Sequence, residues 1–247
     1  MITTLVDFQR SDLRALEWSI NEITDNVINH AQSPVGGFLH FSSYTVSRAV
    51  EFAVCDVGIG IPATLRAGLG QVLTDSEALE LAIREGVTRD KKLGQGNGLY
   101  GSWRIAQLSG GIFEIFSGRA HLFSSPDHGL SIQDTAIPFA GTLVVSKIPY
   151  LRTIDLSEAL VFGGKKYMPV DLVELEYEAD AQGNVDFFLG RESGGGFGSR
   201  QAGEPVRKKL LNIARLDGIN RITIDFSDIP LLSSSYADEV FGKMFMS

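Results

Sequence analysis

The sequence predicts an α/β protein of two domains. Three observations carry this. Apolar residues recur at helical spacing up to residue 32 and at strand spacing soon after it. A glycine-rich stretch, 94–101, opens into a second amphipathic helix that further strands follow. A mixed segment, 149–171, carrying Pro149, Gly163-Gly164, Lys165-Lys166 and Pro169, then precedes a second run of strands and helices. At 247 residues the chain is long for one domain and comfortable for two.

The first element is a helix over 11–32. Leu13, Leu16, Ile20, Ile23 and Val27 form an apolar stripe, Ser11 or Asp12 can cap the start, and Ser33-Pro34 with Gly36-Gly37 ends it. Phe38–Ser42 and Arg48–Cys55 read as a strand pair in a hairpin or meander. Asp75–Arg84, opened by Asp75-Ser76, is a short helix inside a long connection, 63–93, of the kind that forms lids. Ser102–Leu108 continues the helix opened by the glycines, and Gly110-Gly111 stops it. Ile112–Ser117 and Thr142–Ile148 read as strands joined by a polar loop. The domain boundary falls at 151–171. Beyond it, Leu172–Tyr177 and Asn184–Leu189 read as strands around a turn at Asp180–Gly183. Glu204–Leu216 is a helix with Pro205 in its first turn, Arg221–Phe226 a buried strand, and Ser233–Met246 a helix capped by one of three serines.

Composition bounds the function. Hydrophobic residues make up 44% and charged residues 21%, which is ordinary for a soluble globular chain. A net charge of −8 argues against a general nucleic-acid or anionic-membrane binder. The single cysteine, Cys55, rules out an intramolecular disulfide and fits a cytoplasmic location. Its place after Phe52-Ala53-Val54 marks it as a small core residue. No run approaches 18 uninterrupted apolar residues, and no basic-then-apolar leader opens the chain, so neither a membrane span nor a secretory signal is expected.

Three motifs carry chemistry. On the first helix, Glu22, Asn26 and His30 fall within about 80° of one another beside the apolar stripe. The carboxylate can take a proton, and the amide oxygen can ligate a hard cation such as Mg²⁺. At the end of the second strand, Asp56-Val57-Gly58-Ile59-Gly60 places an acceptor at a sheet rim, with glycines that admit a flat group. Gly94-Gln95-Gly96-Asn97-Gly98-Leu99 opens a helix whose N-terminal N–H groups suit phosphate. It lacks the Gly-Lys-Ser/Thr ending of a P-loop and the leading strand of a Rossmann fingerprint. Arg84, Arg89, Lys91 and Lys92 either face that phosphate or lie in solvent.

In this order, with Gly141-Thr142 on a terminal strand, the motifs resemble the ATP-binding domain of the GHKL superfamily, over residues 10–150. That superfamily includes gyrase B, heat-shock chaperone ATPases, histidine kinases and anti-sigma-factor serine kinases. The resemblance implies a two-layer α/β sandwich of Bergerat type with a mostly antiparallel sheet. It implies Mg²⁺ and ATP as cofactors, with Asn26 the Mg²⁺ ligand and Glu22 the general base. Asp56 would accept from the adenine amine, supported by Thr142. Gly58 and Gly60 would shape the adenine pocket, and Gly94, Gly96, Gly98 and Leu99 would close over the phosphates. His30 would be structural or lid-linking.

Residues 196–245 resemble a second family, the STAS-like domains of unknown function, through Ser199-Arg200, Asp225-Phe226, Ala237-Asp238-Glu239 and Phe241. This implies a smaller α/β domain over 172–247. Ser234, between Ser233 and Ser235, falls where related antagonists of anti-sigma factors carry a phosphorylated serine; a plain helix cap is the other reading. Together the resemblances imply a regulator that binds ATP and a regulatory protein partner, with homodimer formation by analogy alone. It would be a slow ATPase or a serine kinase of the anti-sigma-factor type. A nucleotide-dependent interaction switch without turnover is the alternative.

Overall fold

The computed structural model describes residues 10–87, 96–150, 156–167, 177, 179–193, 196–216, 218–227 and 229–246. The chain is α/β with a mostly antiparallel sheet, and it divides into two units, the first being Arg10–Val170 and the second beginning at Asp171.

In the first unit, α1 spans Arg10–Asn26 and passes into a π-helical turn, Val27–Ala31. The expected helix is therefore present, with a change of type in its last turn. Insertions of this kind recur at functional sites. β1, Gly37–Tyr44, and β2, Ala49–Asp56, form the expected hairpin. α2, Gly60–Leu69, fills a stretch expected to be a glycine-rich turn and connection. α3 covers Asp75–Ala82, and its cap is Thr74 rather than Asp75-Ser76. Thr74 Oγ1 accepts from the Glu77 amide while Glu77 reaches back to the Thr74 amide, which satisfies two orphan donors at once.

α4 is Gly98–Ser109, closed by Gly110 in the left-handed region. β3, Ile112–Ser125, and β4, Gly129–Pro149, make one long hairpin. The polar loop expected between them shrinks to three residues. Pairing resumes beyond a register shift at Ser117–Ala120, so residues polar enough to suggest a loop are held by ladder hydrogen bonds.

The sheet order is β1-β2-β4-β3. Val50, Phe52 and Val54 of β2, Phe113 and Ile115 of β3, and Val144 and Ile148 of β4 alternate into the core. Buried Leu16, Ile20 and Ile23 come from α1, and Ile105 and Ala106 from α4. Cys55 sits on the other face of β2 and is half-buried, so it is not the core residue expected.

Residues 156–167, read from the sequence as linker, belong to this first unit. A 3-10 turn, Leu156–Ala159, contacts α1 and α4. A small hairpin follows, β5 at Val161–Phe162 and β6 at Lys165–Lys166.

In the second unit, β7, Asn184–Phe188, pairs in parallel with β8, Arg221–Asp225. α5 is Leu189–Glu192 and α6 is Arg200–Ala214. α6 starts four residues earlier than expected, capped by Ser199, so Pro205 lies in its second turn. β8 is half-exposed to exposed rather than buried. α7, Ser234–Ala237, runs into a π-helical turn, Asp238–Gly242, and a 3-10 turn, Lys243–Met246. The expected strand at 172–177 lies outside the described residues except for Tyr177. Among the described residues, no helix is long and apolar enough to cross a membrane.

Candidate functional site

A cleft of about 360 Å³ opens in the first unit between α1, one end of the sheet and the start of α4. Its size suits a small molecule, for which sites run roughly 300–1,000 Å³.

At that end of the sheet one rung crosses all four strands: Gly37 faces Asp56, Asp56 faces Thr142, and Thr142 faces Ser117; of these, Asp56 and Thr142 line the cleft. Asp56 is 4% exposed, and its Oδ1 accepts the Gly58 amide at 2.8 Å. That bond closes a tight turn and fixes the carboxylate direction. Ser117 Oγ accepts the Ile61 amide at 2.9 Å and donates to the Gly141 carbonyl at 2.8 Å. Its one proton is thereby used, so the 3.1 Å contact with Thr142 Oγ1 has Thr142 as donor. Gly141 has φ +91°, and a Cβ there would overlap the Asp56 carbonyl. The turn between β2 and α2 is also clamped from the helix side. The Ile59 amide donates to the Ala31 carbonyl at 2.8 Å, and a Cβ on Gly58 would overlap that same carbonyl.

One wall is α1, where Glu22 and Asn26 sit one turn apart and both line the cleft with Asp25, Asn29 and His30. Burial pushes the Glu22 carboxyl above its usual range, and the negative charge of Asp25 adds to the shift. A raised carboxyl is better matched to proton abstraction near neutral pH than a surface one.

The opposite wall is the start of α4. Asn97 precedes it without capping it: the Asn97 side chain instead accepts the Gly86 amide at 3.0 Å. Among the described residues, the N-cap side chain therefore leaves the first-turn amides of α4 unsatisfied, and a helix N-terminus left so is a donor array for anions. Gly98 faces Glu22, and a Cβ on it would stand 2.6 Å from Glu22 Oε2. Gly96 lies against the Val87 backbone. Leu99 packs on the apolar cluster of Leu65, Ala78 and Ala82 from α2 and α3.

The structure thus gathers Glu22, Asn26, Asp56, Gly60, Gly96, Gly98, Leu99 and Thr142 around one cleft. Gly58 stands behind the lining, where it lets the turn approach Ala31. Gly94, Arg89, Lys91 and Lys92 lie outside the described residues. Arg84, just past the end of α3, pairs with Glu80 of that helix at 2.5 Å at the exposed surface. Among the described residues no three His, Cys, Asp or Glu side chains cluster as a metal cage. Ser234 belongs to the second unit; it is exposed and opens α7, while Ser233 is the residue that caps it, accepting the Tyr236 amide at 3.1 Å.

Several residues of the site carry no signal in the sequence. Ser117 stands behind the lining, and only the sheet register brings it to Thr142. Asn97 was legible as a pre-helical Asn, though not for its bond to Gly86. Trp18, Phe162 and Tyr167 also line the cleft, the last two from the segment taken as linker.

In the second unit, the residues singled out from the sequence touch one another. Arg200 pairs with Asp238 at 2.8 Å, and the Phe226 and Phe241 rings lie 5.8 Å apart. Buried Glu239 holds Arg207 at 3.2 Å and Lys243 at 2.5 Å. Those two cations, the Lys243 ammonium foremost, hold the Glu239 carboxyl below its usual range against the opposing effect of burial.

A family model described as a STAS-like domain of unknown function matches residues 202–247. The end of the chain is similar to that family over these residues. The matched residues include Arg207, Glu239 and Lys243. No curated protein is a significant match to the chain. Among solved structures, the chain is similar to one described as the N-terminal domain of a DNA repair protein, at 15% identity and a TM-score of 0.30. The similarity covers 57% of this chain and 40% of that one.

Proposed function

We propose that the first unit is a GHKL-type nucleotide-binding module of Bergerat architecture whose cleft binds ATP with Mg²⁺, fused to the STAS-like region as a regulator. The observation that carries the reading is the convergence, on one cleft, of a buried Asp at a sheet rim, an Asn and a Glu one turn apart, and a helix N-terminus that Asn97 does not cap. These are the parts that an aminopurine, a cation and a polyphosphate require.

In this reading the Asp56 oxygen not engaged by Gly58 accepts the exocyclic amine of adenine, and Thr142, oriented through Ser117, supports the ring. The α4 amides and the Gly96–Gly98 backbone receive phosphate oxygens. Mg²⁺ keeps few protein ligands and takes phosphate oxygens and water for the rest, so a lone Asn26 carbonyl oxygen fits it without a carboxylate cage. The cation would supply charge neutralisation on the phosphates. Glu22, raised by burial, takes the proton of the attacking hydroxyl or water. The chain is then a slow ATPase or a serine kinase of the anti-sigma-factor type.

The test uses γ-labelled ATP with Mg²⁺, wild type beside Glu22→Ala, following free phosphate and protein-bound label together. Free phosphate that disappears in the variant supports an ATPase. Protein-bound label abolished by Ser234→Ala supports phosphorylation within the chain. Neither signal, with ATP still bound, supports the non-catalytic switch. No ATP binding overturns the proposal.

A further inference from the structure

The Glu22 end of the cleft is closed by the small hairpin that follows the 3-10 turn. Leu160 is fully buried, and the chain turns back through Gly163-Gly164 so that the Tyr167 amide donates to the Leu160 carbonyl at 2.7 Å. The Phe162 ring lies 6.0 Å from Trp18 and 6.2 Å from Tyr100, and the Tyr167 ring lies 6.1 Å from Trp18. Trp18 and Leu160 both pack on Gly101, where a Cβ would overlap the indole. Trp18 is one turn before Glu22 on α1, and Gly101 is about one turn after Gly98 on α4. The aromatic hairpin therefore stands about one helical pitch, ~5.4 Å, along the cleft from Glu22.

Two features make this wall removable. Each strand contributes only two residues to its ladder, too few for a hairpin to persist without its contacts. Its tip is tied by the Gly163 amide donating to the Glu85 carboxylate. Glu85 lies two residues before Val87, whose backbone supports Gly96. One short stretch thus holds both the hairpin tip and the glycine-rich loop.

We propose that Leu160–Tyr167 is a strap over the Glu22 end of the cleft, and that it must lift before a phosphoryl acceptor reaches Glu22. The proposal rests on the nucleotide reading of the cleft. A ligand that draws Gly96–Gly98 onto its phosphates shifts Val87 and Glu85, loosens the tie to Gly163 and opens the acceptor side. Nucleotide occupancy and acceptor access are thereby linked.

Trp18 reports the strap directly. The chain has two tryptophans, so Trp103→Phe leaves Trp18 alone, 8% exposed beneath Phe162 and Tyr167. In that full-length background, acrylamide quenching of Trp18 is measured with and without a non-hydrolysable ATP analogue and Mg²⁺. Calorimetry follows analogue binding separately. Glu85→Ala removes a hydrogen bond to a charged acceptor, so the lifted fraction rises by about fivefold or more. The expected results are stronger quenching in Glu85→Ala without nucleotide, stronger quenching in the parent on adding the analogue, and faster ATP turnover in Glu85→Ala. Phe162→Ser, which loosens the same wall from inside, shifts quenching and turnover the same way. Analogue that binds without changing Trp18 quenching, with turnover unaltered in both variants, overturns the strap and leaves the nucleotide reading intact. Analogue that fails to bind overturns the nucleotide reading, and with it the gating role.

Discussion

Replacing Asp56 by Asn tests base recognition while sparing the fold. Asn keeps an oxygen to accept the Gly58 amide, which Asp56 now accepts at 2.8 Å, so the turn into α2 is retained. The second oxygen becomes an NH₂ group in a position only 4% exposed. Adenine would then meet donor with donor. Losing one hydrogen bond to a buried charged acceptor and leaving two donors unmatched costs about 3 kcal/mol, or roughly 150-fold in affinity. A 6-oxopurine triphosphate such as ITP presents an acceptor at that position and is expected to gain relative to ATP in the variant. Calorimetric titration of wild type and Asp56→Asn with ATP and ITP reads both changes, and thermal unfolding confirms that the fold is kept. Equal affinity loss for the two nucleotides, or no loss for ATP, refutes the assignment of Asp56 to the base.

Four further substitutions have expected outcomes, three in the first unit and one in the second. Glu22→Ala is expected to lower ATP turnover by about 10²–10⁴-fold with affinity changed only a few-fold, read by steady-state kinetics beside calorimetry. Because its folded carboxyl is raised, Glu22 binds its proton more readily folded than unfolded, so ionising it costs stability as pH rises above 4.5 and through the folded value. Glu22→Gln should therefore raise the melting temperature at pH 7, and the gain should vanish below pH 4.5. Gly141→Ala is expected to destabilise the first unit by about 3 kcal/mol or more in urea titration, since a Cβ at φ +91° would overlap the Asp56 carbonyl. Glu239→Ala leaves Arg207 largely buried without its carboxylate and should cost the second unit about 3 kcal/mol. The Glu239 carboxyl is depressed, so its contribution is complete above pH 4.5 and is lost as pH falls through the lower folded value; circular dichroism of the variant should show a weaker acid transition.

How much was legible in the sequence depended on the range of the interactions involved. Glu22 and Asn26 could be placed together because helical periodicity is local and strong. The β1–β2 hairpin and Asp56 at its end were legible for the same reason. The long β3–β4 hairpin was not, because its outer part is specified by cross-strand pairing beyond a register shift, and its polar side chains mimic a loop. α2 was hidden by Gly58, Gly60 and Pro62, which read as turn residues although Pro62 occupies the first turn of a helix. The role of Ser117 follows from sheet register, a long-range property that no neighbouring residue announces. The strap was mistaken for linker because its glycines and lysines lie at an exposed tip, while the residues that bind it, Leu160 and Phe162, are too few to show a period. In the second unit, Pro205 suggested a helix start, but Ser199 caps more effectively by accepting the Ala202 amide, and the helix absorbs the proline one turn later.

The measurement that bears most directly on the central claim is calorimetric titration of the full-length chain with ATP, in Mg²⁺ and again in excess EDTA. The account predicts saturable binding of one ATP per chain, weakened when Mg²⁺ is removed and further weakened by Asn26→Ala in Mg²⁺ but not in EDTA. Binding no tighter than about 1 mM, ~−4 kcal/mol, under every condition would contradict it.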